Sequence, residues 1–229
     1  MAMQHPFHPG VVRRLDLTQA FDTRSAWTLV VTELSGEAST VAVRFVRQAD
    51  PGAPGIPNGR RLRKPHNEEH IKLFPGERSF YSLLESRIVF SQEGDRAPLL
   101  LIRACTLRYG NCSCWISTLL YAYDRDSDSF RTVFFGLTAS DTKQATRFGE
   151  SGPLLGRVIV ITPAASEQGA GFGQVVEVYK RSVVGEYLRV LVYCSRNRCT
   201  DADGASVIDS EMPEILRRLG KAQMPALAT

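Results

Sequence analysis

From Ala26 onward, apolar residues recur mainly at every second position, in short runs rich in β-branched and aromatic side chains and bounded by Gly, Asn, Asp and Ser. A period of two puts alternate side chains on opposite faces of an extended chain, so the pattern predicts strands. They fall at Trp27–Glu33, Thr40–Arg47, Arg87–Ser91, Pro98–Arg108, Ser113–Asp124, Phe130–Leu137, Gly156–Thr162, Gln174–Lys180 and Glu186–Cys194. The links between several of them are short and turn-like: Ser35-Gly36-Glu37, Tyr109-Gly110-Asn111, the Asp-rich stretch 124–129, and Val184-Gly185. Strands joined this tightly pair antiparallel, because a parallel neighbour needs a crossover of about a dozen residues. The expected fold is all-β, a mainly antiparallel meander folded as a sandwich, barrel or propeller-like assembly.

Two segments follow a different period. Ser210–Gly220 places acids first, bases last and a glycine at its end, with Met212, Ile215, Leu216 and Leu219 on one stripe, which predicts a short C-terminal helix capped at Ser210. Glu77–Ser86, after Pro75-Gly76, carries Phe80, Leu83 and Leu84 at helical spacing and is a candidate short helix. Residues 49–76 are rich in Pro and Gly and read as a long exposed loop. The organisation is then an N-terminal extension over 1–25, a single β-rich domain over 26–220, and a tail over 221–229.

Composition bounds this picture without specifying a function. The 229 residues are 43% hydrophobic and 23% charged, enough chain for one large domain with a substantial core. Apolar runs such as Leu99–Ile102 and Val158–Ile161 fall far below the ~18 residues of a membrane-spanning helix, so no transmembrane segment is expected. The opening Met1-Ala2-Met3-Gln4-His5-Pro6 lacks the basic-then-apolar order of a secretory leader. Location is left between the cytoplasm and, if a leader has been removed, the periplasm or cell envelope. The net charge of +4 rests on 23 Arg and 5 Lys scattered along the chain, which disfavours the contiguous patch that nucleic-acid binding requires. The one local basic run is Arg60, Arg61, Arg63 and Lys64.

Several residue patterns carry candidate chemistry. His66-x-x-Glu69-His70 has the order of inverted zinc hydrolases, with two metal-ligating His flanking a general base. Pro65 in front and basic flanks on both sides argue instead for a solvated turn. Asp124, Asp126 and Asp128 have the alternate-oxygen spacing of calcium loops, but Ser129 stands where the loop's glycine belongs and Phe135 where its bidentate Glu belongs. Ser151 in Gly149-Glu150-Ser151-Gly152 has nucleophile-like neighbours but no evident base, and Gly169-x-Gly171-x-Gly173 leads into a strand rather than a phosphate-binding helix. Five cysteines leave at least one without an intramolecular partner. Cys194 with Cys199, and Cys105 with Cys114, are the candidate disulfides, the second depending on one residue of hairpin register. A zinc site built from these cysteines lacks the usual ligand spacing. No cofactor is expected.

The strand Leu99–Arg103, the pair Leu120–Asp124 with Phe130–Phe135, the stretch Arg147–Gly156 and, most specifically, Val207-Ile208-Asp209-Ser210-Glu211-Met212-Pro213 together resemble an uncharacterised family of β-rich proteobacterial proteins. The resemblance spans about residues 99–220. It implies an all-β fold and mildly favours an envelope location, and it brings no activity, cofactor or catalytic residues. The expectation is a non-enzymatic binding protein whose partner is another protein: an envelope component, or an inhibitor or immunity partner. The alternatives are a metal-dependent hydrolase using His66, Glu69 and His70, and nucleic-acid binding through Arg60–Lys64.

Overall fold

The structure is a computed structural model that describes residues 10–34, 40–48, 78–91, 97–109, 113–139, 144–164, 173–195 and 204–223. It is all-β, as the period-two patterning predicts. The strands are β1 (Gly10–Asp16), β2 (Trp27–Leu34), β3 (Thr40–Arg47), β4 (Arg78–Phe80), β5 (Ser82–Phe90), β6 (Pro98–Tyr109), β7 (Ser113–Asp124), β8 (Ser129–Ala139), β9 (Ala145–Phe148), β10 (Val158–Pro163), β11 (Gln174–Arg181) and β12 (Tyr187–Ser195). A four-residue helix α1 (Thr18–Phe21) follows β1, and α2 (Gly204–Gln223) ends the described chain. The strands form three antiparallel meanders of four, β1–β4, β5–β8 and β9–β12, each built from consecutive strands.

The three sheets stack, and α2 covers the outer face of the third. In the first interface Leu29, Val31, Val43 and Phe80 of the first sheet, with Leu17 and Phe21, meet Leu100, Ile102, Leu119, Tyr121 and Phe130 of the second. In the second interface Leu99, Leu101, Leu120, Ala122 and Phe134 of the second sheet meet Phe148, Val158, Val160 and Tyr187 of the third. In the last interface Ile159, Ile161, Val176, Val178 and Tyr193 meet Val207, Ile208, Ile215 and Leu219 of α2. The middle sheet is therefore buried on both faces, which is why β6 and β7 carry the apolar runs Leu99–Ile102 and Leu119–Tyr123 while β11 alternates. Two bulges adjust the pairing of β7 with its two neighbours. One falls where Thr106 has no partner between Cys105 and Leu107, the other at Val133 opposite Leu120 and Tyr121. The second sends Phe130 and Phe134, both even-numbered, to opposite faces.

Several expectations are corrected. Residues 77–86 are not a helix: the described part is β4 and the start of β5. The register shift between Leu83 and Glu85 in β5 leaves Leu84 as the extra, exposed residue, and this insertion imitates a helical spacing in the sequence. Residues 10–22, read as part of an extension, supply β1 and α1, and Leu17 and Phe21 are buried in the first interface. The terminal helix begins at Gly204 rather than at a Ser210 cap, and Ser210 donates its hydroxyl to the Val207 carbonyl three residues back. Its buried stripe repeats every four residues, Val207, Glu211, Ile215 and Leu219, so a carboxylate sits where the expected stripe held only apolar groups. No helix among the described residues is long and apolar enough to cross a membrane. The loop expected over 49–76 and the tail over 224–229 lie outside the described residues.

Candidate functional site

The Asp-rich turn between β7 and β8 is a docking plug. Asp124 accepts the Asp126 N–H at 3.1 Å and the Ser127 hydroxyl at 2.9 Å, stabilising its own turn. Asp128 adopts φ 44°, a left-handed conformation that Asp tolerates better than most residues, and this turns its carboxylate toward the first sheet. There it accepts Ser25 Oγ at 2.7 Å, Trp27 Nε1 at 3.0 Å and Tyr123 Oη at 2.6 Å, with Arg47 at 2.8 Å. Burial alone would raise the Asp128 carboxyl, but the three hydrogen bonds and Arg47 outweigh it and hold the group below its ordinary value. Arg125 adds an ion pair to Asp22, and the Arg24 N–H donates to Tyr123 Oη at 2.9 Å. Asp124 and Asp128 thus face different partners and Asp126 is exposed, and no group of three or more His, Cys, Asp or Glu among the described residues is placed to hold a metal ion.

The cysteine candidates separate. Cys105 lies opposite Ile116, and beyond the Thr106 bulge Cys114 lies opposite Arg108, so the two are not disulfide-bonded to each other. Cys194 is an exposed free thiol. Cys199, the run Arg60, Arg61, Arg63 and Lys64, and the segment His66, Glu69 and His70 lie outside the described residues, as do all four histidines. Ser151 is exposed and precedes the 3-10 turn Gly152–Leu154. That loop depends on Gly149, where a Cβ would stand 2.0 Å from the Leu154 carbonyl oxygen, so its glycines serve the turn.

What the sequence did not single out is the last hairpin, β11–β12. Of the large apolar side chains exposed among the described residues, Val46, Leu84 and Phe90 are scattered, whereas Val183, Val184, Leu188, Val190 and Val192 all belong to this hairpin. Leu188, Val190 and Val192 are 53%, 42% and 50% exposed along one nine-residue strand, and that strand is the edge of its sheet. The inward side of β12 explains why the outer side is left over. Leu191, Tyr193 and Ser195 turn toward α2, where Tyr193 Oη donates to Glu211 at 2.7 Å and Ser195 donates to the same carboxylate. Burial, then Glu211, pushes the Tyr193 phenol far above its ordinary value. The Arg218 guanidinium lies 4.3 Å from the centre of the Tyr193 ring.

Alternation then sends Val192 and Cys194 to the opposite face, beside Val175 and Glu177 of β11. Glu177 accepts Arg189 at 2.6 Å and the Tyr179 hydroxyl at 3.1 Å, and burial followed by Glu177 pushes that phenol up to about 12. Val192 thus lies on the face of the Arg189–Glu177 ion pair and Leu188, opposite Lys180 beyond a bulge, on the other face, so exposed aliphatic side chains flank both sides of the outermost strand of this sheet. Of the other edge strands, β4 and β9 span only three and four residues and β1 bears exposed Arg13 and Arg14 beside a bulge, while β5 and β8 are long edges of the middle sheet. β12 has its own bulge at Val190, where Val178 and Tyr179 pair with Leu191 and Arg189. The only signal for it in the sequence is the unbroken run Val190-Leu191-Val192, which implies two-sided burial unless the strand lies at an edge. Compared with family models, curated proteins and solved structures, the chain matches none of them.

Proposed function

We propose that this is a non-enzymatic binding protein that engages an extended, apolar segment of another protein along β12. The observation that carries the reading is that Leu188, Val190 and Val192 are all exposed on one edge strand, Leu188 and Val192 on its two faces and Val190 at the bulge between them. An edge strand offers backbone donors and acceptors to an added strand, and apolar side chains beside it supply the desolvation that makes the addition favourable. Exposed aliphatic side chains gathered on one edge strand mark an interaction site more often than scattered ones do. Such a surface fits the expectation from the sequence that the partner is another protein, this chain itself being an envelope component or an inhibitor or immunity protein.

The test compares two double or single lysine variants in co-purification from the native host, followed by affinity measurement with the identified partner. Val190→Lys with Val192→Lys is expected to weaken binding at least about tenfold, since two buried aliphatic contacts are replaced by charge. Val46→Lys, an exposed apolar position on β3, is expected to leave affinity unchanged. Equal affinity of the double variant and the parent, or a partner that protects the first sheet rather than β12 from hydrogen exchange, would overturn the reading.

A further inference from the structure

The second interface contains a row of polar groups that its packing leaves without acceptors. Glu85, Arg103, Thr118 and Gly136 are successive cross-strand neighbours on β5, β6, β7 and β8. They share the face of the middle sheet that meets the third sheet, the face of Leu101 and Leu120. Thr146 of β9 lies across from them, its Oγ1 3.6 Å from the point a Cβ on Gly136 would occupy. Thr118 and Thr146 are 2% and 7% exposed, and neither hydroxyl has a partner. The Arg103 Nε is buried without one, and among the described residues the guanidinium meets only Glu85, at 3.7 Å. Glu85 and the nearby Glu150 are both engaged by Arg87.

We propose that this row is a binding site for a small oxyanion, the carboxylate or phosphate group of a soluble ligand. The guanidinium and the two hydroxyls are all donors, and an oxyanion is the ligand class that accepts from several donors at once. Glu85 and Arg103 are partly exposed at 28% and 37%, so the row opens to solvent at its β5 end and closes at the threonines. The four charged groups Glu85, Arg87, Arg103 and Glu150 cancel, so a bound anion brings the first net charge into the row. It meets there the arginine that is less engaged of the two. Gly136 matters because it lets Thr146 approach the middle sheet: a Cβ there would stand 3.1 Å from the Phe134 ring and 3.6 Å from the Thr146 hydroxyl.

The experiment titrates the full chain with inorganic phosphate and, separately, with acetate, at ionic strength held constant with sodium chloride. Calorimetry and thermal unfolding are the readouts. Saturable binding of at least one of the two at about millimolar strength, with a rise in Tm, is expected, and the two arms distinguish the phosphate from the carboxylate source. Arg103→Gln is expected to weaken binding about tenfold or more, and Thr118→Val several-fold, while Arg125→Gln on the far side of the middle sheet leaves it unchanged. If Arg103→Gln does not fold, Arg103→Lys serves instead, since it keeps the charge and loses the planar fork. No saturable response to either anion, or an undiminished response in the Arg103 and Thr118 variants, overturns the site and leaves a trapped water as the occupant.

Discussion

The two faces of the middle sheet are closed in opposite ways. Toward the first sheet the contact is aromatic: the Phe130 ring lies 4.9 to 5.7 Å from the rings of Phe21, Trp27, Phe45 and Tyr123. The polar rim there is resolved by Asp128, whose carboxylate answers Ser25, Trp27, Tyr123 and Arg47. Toward the third sheet the contact is mostly aliphatic and its polar end, Arg103, Thr118 and Thr146, keeps donors without acceptors. Unmade hydrogen bonds in a buried place cost roughly 1–3 kcal/mol each. The first face is the more cohesive: among the described residues it leaves one buried hydroxyl, that of Ser86, without a partner, whereas the other gathers three unpartnered donors at one place.

The largest separation between the faces is expected from core truncation. Phe130→Ala should lower stability by about 3–5 kcal/mol and Leu120→Ala by about 2–5 kcal/mol, measured by urea unfolding. If the Leu120 change cost clearly more than the Phe130 change, the first face would not be the more cohesive one. Asp128→Asn keeps the left-handed backbone and removes the charge, and should cost about 1–3 kcal/mol. Its pH dependence sharpens the point. Because the folded carboxyl titrates below its ordinary value, its contribution is fully present above the unfolded pKa of about 3.9 and is lost as pH falls through the lower folded value. The gap between parent and Asp128→Asn should therefore shrink below about pH 4 and stay constant above about pH 5. The smallest effect is expected at the polar end of the other face: Thr118→Val, near-isosteric, should change stability by less than about 1 kcal/mol, with a gain more consistent than a loss. A loss above about 2 kcal/mol would show that Thr118 is satisfied in solution.

How much of this was legible in the sequence depends on how local its cause is. Long strands such as β6 and β7 could be read because their runs and turns are written in contiguous residues, and even two-sided burial is implicit in Leu99–Ile102. Short strands could not. β9 is four residues whose strand character comes from pairing with β10, and β1 carries Arg13 and Arg14 in an otherwise apolar stretch. The bulge at Leu84 defeated the period argument outright, because one inserted residue converts an alternation of two into an apparent three. The candidate surfaces were less legible still. Arg103, Thr118 and Thr146 come from three strands and two sheets, and β12 is notable only because its sheet ends there. Asp128 was singled out for its spacing to Asp124 and Asp126, yet two of its partners, Ser25 and Trp27, lie about a hundred positions earlier in the chain.

The layers also follow the order of the chain, each sheet being completed before the next begins. During synthesis the first two sheets can close on each other with only local connections, which favours rapid folding. Until residues 145–195 have emerged, however, Leu99, Leu101, Leu120, Ala122 and Phe134 form an uncovered apolar plane on a nearly finished body. Transient surfaces of that kind invite aggregation. Glu85, Arg87 and Arg103 border that same plane, and they place charge beside it during the interval before the third sheet arrives.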